Sequence, residues 1–475
     1  MASHADQSLW EHEQAFVKEQ KKNDPAAFVP SMHAGNAVNE RVGIFMPQTD
    51  RVPGYIRYSP LDFIVEEIKK DGTVVRVDAP DAPSPLEGTG TAYADVVKVG
   101  ISTLDAAQRI ADALGTDAGI VGYAGIKDAV ALTAQRISVR GAKEDALRGL
   151  SVPNVLLRNI AEGKGVIAVG DLAGNRFTLF IRTDGRADET ALQERVARMA
   201  KEGIMNYYGP QRFGSPRYLS HVFGLHLMRG DYEGAVRAVL CEESPFEWPY
   251  VAAIRRKMSA AWGDWHALYA LTESLPHTFR HERTMLKAMD GLRGKDAFVR
   301  ALEAVEKQTD MWARAYASRL TNELLSMAEK TGARLPETLP LLLSQNEADR
   351  AAYAPFLKRD GTEGFTRALL PFRRFVNIGR RPSIPAKLYP TFHGLAVHEA
   401  GVALSFDLPK AAYATTVLMH LFDLGGAGPG IPAWLKPEEV DTKALLGTGS
   451  LTDVRAHFRN VIDVILNNRQ EASEE

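Results

Sequence analysis

The chain has almost no cysteine. Its single thiol, Cys241, among 475 residues excludes a disulfide framework and a cysteine-ligated zinc site. It lies in the apolar run Ala238-Val239-Leu240-Cys241 and is expected to act as a small buried hydrophobe. Long hydrophobic runs are missing too, and none reaches the roughly 20 apolar residues of a membrane span. The opening MASHADQSLWEHEQ lacks the charged-then-apolar pattern of a secretory signal. A reducing compartment, the cytoplasm by default, is therefore expected. There is no charge excess, because 57 Lys and Arg face 59 Asp and Glu, for a formal net charge of -2. A protein that holds nucleic acid by bulk charge is more basic, so any RNA site must be a local patch. Familiar signatures are also absent: no Walker A loop, G-x-S-x-G, H-E-x-x-H or C-x-x-C occurs. The pairs His277/His281 and His393/His398 have no third ligand nearby in sequence, and solvated faces are the simpler account.

What is present fits a soluble, folded chain, with 45% hydrophobic and 24% charged residues. The length calls for two or three domains. Residues 1–40 are polar and read as an N-terminal extension. Short strand patterns begin near residue 41, with Asp62 to Ile68, Thr73 to Val77 and Ala92 to Val99. Thr103 looks like an N-cap for a helix carrying Ala107, Ile110 and Leu114. Val121 to Ala124, Gln135 to Arg140 and Phe177 to Arg182 are strand-like, and Leu192, Val196 and Met199 mark a helix face. From about 218 to 330 only helical spacing is seen. Strand character returns at Gly401 to Phe406, with helices from about Lys410 and from Asp453 to Asn468. This order describes an α/β or α+β domain of residues 41–225 and 381–422, interrupted by a helical insertion over 226–380, with 423–475 as a C-terminal extension.

Three segments mix glycine, aromatic and polar residues where periodicity does not ask for them. They are Gly122-Tyr-Ala-Gly-Ile-Lys-Asp128 running on to Thr133 and Gln135, Asn206-Tyr-Tyr-Gly-Pro-Gln-Arg-Phe-Gly214, and Gly170-Asp-Leu-Ala-Gly-Asn-Arg-Phe177. Singly, each has a plain reading as an exposed ion pair or core aromatics. Together they supply a carboxylate on a turn, a flat aromatic, an amide and several arginines, the parts needed to hold a flipped-out base.

These segments resemble the signatures of the TruD family of pseudouridine synthases. Gly125, Lys127, Asp128, Ala131, Thr133 and Gln135 are in register with its G-x-K-D-x-x-A-x-T-x-Q motif. Asn206 to Gly214 follows N-Y-F-G-x-Q-R-F-G, and Gly174, Asn175 and Phe177 follow G-N-x-F. Pro60, Asp62, Phe63 and Val65, with Glu66 or Glu67, follow P-x-D-F-x-V-x-E, and Phe406 to Thr415 looks like F-x-L-P-x-G-S-[YF]-A-T. The motifs occur in family order across roughly residues 55–420, and that co-linearity gives the match its specificity. The chain departs from the pattern at Ala129, where a basic residue is usual, at Tyr208 for Phe, at Ala411-Ala412 for Gly-Ser, and at Arg57 for Lys.

The resemblance implies an α/β (α+β) pseudouridine-synthase catalytic domain with a mixed, largely antiparallel sheet, plus an inserted, mainly helical TruD-type domain. It implies isomerisation of a uridine in RNA, most of all tRNA (position 13), with Asp128 as the catalytic carboxylate and no cofactor or metal. Arg57 and Lys127 are the implied cations beside Asp128 or substrate, Tyr208 the base-stacking ring, and Asn206 and Tyr413 further substrate contacts. Asn175 and Gln135 are expected to hold loops. For RNA, Arg136, Arg140, Lys143, Arg212 and Arg217 lie close to the motifs, and Arg373, Arg374, Arg380 and Arg381 form a second basic cluster. Two rival readings are a catalytically inactive RNA-binding relative and a cofactor-dependent α/β enzyme using Gly425 to Gly430 as a phosphate loop.

Overall fold

The computed structural model describes residues 4–32, 36–46, 51–82, 86–344, 346–379, 383–424 and 431–474. Arg380, Arg381 and the loop Gly425 to Gly430 lie outside the described residues. Two compact units are formed. One contains residues 51–204 and 388–474, and the other contains residues up to 46 together with 205–387.

The first unit is built on a sheet. Its strands among the described residues are β1 (Gly54–Tyr55), β2 (Phe63–Lys69), β3 (Thr91–Lys98), β4 (Val121–Tyr123), β5 (Leu132–Arg140), β6 (Val155–Gly163), β7 (Leu172–Thr183), β8 (Thr391–His398) and β9 (Gly401–Pro409). The order is β8-β9-β7-β2-β5-β3-β6, with β1 also on β7 and β4 also on β5. Every pairing is antiparallel except β2 with β5, where Ile64, Val65 and Glu66 face Leu132, Thr133 and Ala134. The sheet is thus mixed and largely antiparallel.

Period-two alternation sends neighbouring side chains to opposite faces. Phe177, Leu179 and Ile181 of β7 join Phe63 and Val65 in one cluster, closed by Leu192 and Met199 of the helix Glu189–Glu202 and by Val417, Leu418 and Leu421 of the helix Ala414–Leu421. Phe180 faces the other way, against Ala400, Ala403 and Val440. Ile64, Val97, Leu132 and Ala134 form a third layer with Val75, Val77 and Ile462. Gly174 is required where β7 meets β9, because a Cβ there would lie 2.1 Å from the Leu408 carbonyl oxygen.

Several expectations need correction. Thr73 to Val77 does not lengthen the sheet: it turns back after Lys69, bridging only through Ile68 and Val74, while Val75 and Val77 are buried as core. Ser102, not Thr103, caps the helix Thr103–Ala113, accepting from Asp105 N at 3.1 Å. A strand that the pattern did not signal, β8, precedes β9; its residues are mostly half-buried, so apolar alternation is weak there. The region 218–330 is helical as expected. The helix Ser220–Arg229 packs on the long helix Glu306–Thr331 at Gly224, where a Cβ would lie 2.0 Å from Trp312 O. No helix among the described residues is long and apolar enough to cross a membrane.

Candidate functional site

The parallel pair β2/β5 explains how two distant loops meet. Residues leading into parallel neighbours arrive at the same end of the sheet. Arg57 lies on the segment entering β2, and Asp128 lies in the irregular stretch between β4 and β5. Arg57 Nη2 stands 2.5 Å from Asp128 Oδ2, and the two side chains remain 24% and 29% exposed. Asp128 Oδ1 also accepts from Val130 N at 3.1 Å, which fixes the carboxylate on its own turn. The Arg57 guanidinium is stacked 4.2 Å over the Phe63 ring. Its backbone is left-handed, with φ +64, a conformation that costs an L-residue about 1–2 kcal/mol. Burial lowers the Arg57 pKa, Asp128 opposes that shift, and Arg469 adds to it.

Lys127 was expected beside Asp128. Its ammonium is buried instead against Glu67, Nζ to Oε2 at 2.9 Å. The cation that does reach Asp128 from the core is Lys98, at the end of β3. It is fully buried and donates to the carbonyl oxygens of Asp128 at 2.8 Å and Ile101 at 2.7 Å. No carboxylate among the described residues lies within ion-pairing distance of it. In the sequence Val96-Val97-Lys98-Val99 it resembles an ordinary lysine at a strand end, so only the antiparallel register, which places Lys98 opposite Thr133, reveals it. Burial is the main reason its pKa falls from 10.5 to about 8, with Lys127 adding to the fall while Asp128 and Asp105 oppose it. Below pH 8 the folded state carries the penalty of a buried charge. The penalty is relieved as pH rises from about 8 toward 10.5, because there the unfolded chain binds the proton and the folded one does not. The stability of wild type relative to Lys98→Met is therefore expected to rise over that interval by up to about 3 kcal/mol. Urea denaturation of both proteins at pH 7, 8.5 and 10 checks this, and a constant difference would contradict it.

Gln135 holds the Asp128 loop from β5. Its Nε2 donates to Gly125 O at 3.0 Å, and its Oε1 accepts from Thr103 Oγ1 at 3.0 Å, which in turn accepts from Lys127 N at 2.9 Å. This use of the Thr103 hydroxyl explains why Ser102 serves as the cap. Arg136 is committed elsewhere, to Asp95 at 2.9 Å and Asn159 O at 2.9 Å, so its charge is already neutralised. Tyr413 is half-buried and stands at the N-cap of the helix Ala414–Leu421. The nearby Ala411 has φ +66. Ala411→Gly is expected to stabilise the fold by about 0.5–1 kcal/mol, the left-handed penalty less the extra freedom glycine gives the unfolded chain. A urea titration that shows lost stability would sink this.

Asn206, Tyr208 and Arg212 belong to the other unit. Asn206 Nδ2 donates to Pro385 O at 2.8 Å. Tyr208 is mostly buried, and the Arg212 guanidinium lies 5.5 Å from its ring centre. Arg212 also donates to Ser318 Oγ at 3.3 Å. A residue the motif search missed fixes this segment. Asn322 is buried on the helix Glu306–Thr331; it accepts from Tyr208 N at 2.8 Å and donates to Tyr208 O at 2.9 Å, as a neighbouring strand would. A lone Asn in a helical run gives no sequence signal of such a task. Arg217 donates to the backbone carbonyls of Ala238, Val239 and Glu242. It is half-buried against the buried Arg255, Glu247 and Glu282, and burial is the main cause that lowers its pKa to about 9. Arg140 and Arg373 are exposed, and Arg374 pairs with Glu306. Among the described residues, no group of three or more His, Cys, Asp or Glu side chains could hold a metal ion.

Comparison with known proteins agrees with this architecture. The family model described as tRNA pseudouridine synthase D (TruD) matches residues 41–351. A chain from Pyrobaculum neutrophilum named "Probable tRNA pseudouridine synthase D" is 33% identical over 293 residues, covering 61% of this chain and 68% of that one. The tRNA pseudouridine synthase D of Geotalea daltonii is 27% identical over 415 residues, covering 78% and 98%. A crystal structure from Methanosarcina mazei, named "Putative tRNA pseudouridine synthase D (TruD)", superposes with a TM-score of 0.65 at 21% identity, covering 82% of this chain and 99% of that one; it shares the fold. With the family model covering well over half its length, this chain belongs to the tRNA pseudouridine synthase D (TruD) family.

Proposed function

We propose that the protein is a pseudouridine synthase that isomerises a specific uridine in tRNA, position 13 by resemblance, with Asp128 as its catalytic carboxylate. The observation that carries this reading is the state of Asp128. In a chain of this family, its carboxylate is clamped by Arg57 and Val130 N yet keeps part of its surface open. The reaction breaks the N1–C1′ bond, turns the uracil and joins C5 to C1′; N1 gains a proton and C5 loses one. Asp128 acts on the sugar, either attacking C1′ or taking the C2′ proton, and Arg57 holds it in place. Tyr208 stacks on the uracil, and Asn206 and Tyr413 are further substrate contacts. Arg212 is the RNA contact we favour on its unit, and Arg380 and Arg381 remain proposed contacts outside the described residues. The domain division at 41–225, 226–380 and 381–422 is likewise proposed, as is a cytoplasmic location.

Nothing is oxidised and no group enters from outside, so turnover without added cofactor is expected. The test is tritium release from a tRNA transcript carrying [5-³H]uridine, folded in monovalent salt after exhaustive chelation. Turnover lost on chelation and restored by a metal ion would overturn the cofactor-free reading. RNA binding without release from any tRNA would leave the inactive relative standing.

Tyr208→Ala is expected to lower turnover about 5–150-fold, the equivalent of losing about 1–3 kcal/mol of base stacking. Tyr208→Phe should keep most of the activity, because the ring and its backbone clamp by Asn322 remain. Equal losses in the two variants would assign the role to the hydroxyl.

A further inference from the structure

The last helix, Arg459–Glu474, lies outside both the family model and the motifs, yet it reaches the candidate site. Ile462 is fully buried beneath the sheet among Leu61, Ile64 and Val97, with Val461, Ile465 and Leu466 packed beside it. This apolar seat fixes the helix on the core. One turn further along, Arg469 Nη1 donates to the backbone carbonyl of Arg57, and at 3.3 Å to that of Tyr58. Arg57 is the residue that needs such a hold. Its left-handed backbone is unfavourable for any side chain larger than glycine and persists only where its surroundings over-determine it. The side chain is tied at one end, to Asp128 and over Phe63, and the carbonyl is tied at the other, to Arg469.

We infer that Arg469 is a positioning residue for the isomerisation: through it, the last helix holds the Arg57 backbone in the conformation that aims the guanidinium at Asp128. This rests on the isomerase reading above. Arg469 donates to the Arg57 and Tyr58 carbonyls, so its effect is expected to pass through the Arg57 segment. The two cations are near enough for Arg469 to depress the Arg57 pKa, which is consistent with direct communication between them.

A double-mutant cycle in the full chain tests this. Wild type, Arg57→Ala, Arg469→Ala, the double variant and Arg469→Lys are compared on the tritiated tRNA, each well below its own melting temperature. Single turnover with excess enzyme over hours captures the slow variants. Arg469→Ala is expected to lower kcat about fivefold with KM changed less than about twofold, a coupling typical of residues in contact. Arg469→Lys, which can still donate to the Arg57 carbonyl, should recover much of that loss. In the Arg57→Ala background the same Arg469→Ala change should leave kcat within about twofold. An equal loss in both backgrounds overturns the inference, because a helix that merely stabilises the fold would act regardless of Arg57. An unchanged kcat in Arg469→Ala overturns it too. An inactive wild type on every tRNA tried overturns the isomerase reading itself, and this inference with it.

Discussion

Asp128→Asn is expected to abolish isomerisation while leaving the fold and RNA affinity in place. Asn is nearly isosteric, and its Oδ1 can still accept from Val130 N, so the turn survives. The lost ion pair with Arg57 is partly exposed, and exposed pairs are worth about 0–1 kcal/mol. The loop also stays anchored by contacts that ignore the side-chain charge: Lys98 to Asp128 O, and Gln135 to Gly125 O. The amide, however, is neither a nucleophile nor a proton acceptor. Proton transfer alone contributes about 10²–10⁴-fold, so a loss of at least about a hundredfold is expected whichever step Asp128 performs. RNA affinity should persist, since it rests mainly on cationic contacts to phosphates. Filter binding and the yield of pseudouridine at long times with excess enzyme are measured together. Near-normal yield would remove Asp128 from the mechanism, and a melted protein would make it structural.

The loop around Asp128 was legible through its resemblance to the family's G-x-K-D-x-x-A-x-T-x-Q motif; alone, a lysine and an aspartate on a glycine turn read as an exposed ion pair. Arg57 was legible only through its place ahead of Pro60 and Asp62. The main strands could be read wherever β-branched residues alternate, as in β2 and β5. What stayed hidden is tertiary. Lys127 and Lys98 are both lysines beside apolar residues, and nothing local says that one is spent on Glu67 while the other reaches the Asp128 carbonyl. Arg136 and Arg217 looked like available charge, but their carboxylate partners come from distant segments. Asn322 and Arg469 act through backbone carbonyls of residues far away in the chain, a task that folding can give to any polar side chain on a helix.

Asp62→Ala is expected to be the most destabilising of the changes considered, at about 3–5 kcal/mol, because it strands a buried cation. Asp62 and Arg182 are 1% and 0% exposed, and they pair in a fork: Arg182 Nη2 to Oδ1 at 2.8 Å and Nε to Oδ2 at 3.0 Å. Both Nη1 protons are used as well, donating to Lys436 O at 2.9 Å and Glu438 O at 2.6 Å. Asp62 also accepts from Ser59 N at 3.1 Å, closing a capping box over the short helix Pro60–Asp62. The carboxylate therefore joins the C-terminal end of β7 to the segment that carries Arg57. Removing it leaves Arg182 charged and half-bonded in the core, and frees the turn that feeds Arg57 toward Asp128. Both consequences point the same way: urea denaturation should show the stability loss, and turnover should fall even below the melting temperature. Asp62→Asn keeps the cap but not the charge, and should lose less. The double variant Asp62→Ala/Arg182→Leu separates the two effects. Without a buried charge, it should regain much of the stability while turnover stays low, because the Arg57 segment is still untied. If turnover returned together with stability, Asp62 would serve only to neutralise Arg182, and the Arg57 loop would hold its shape without it.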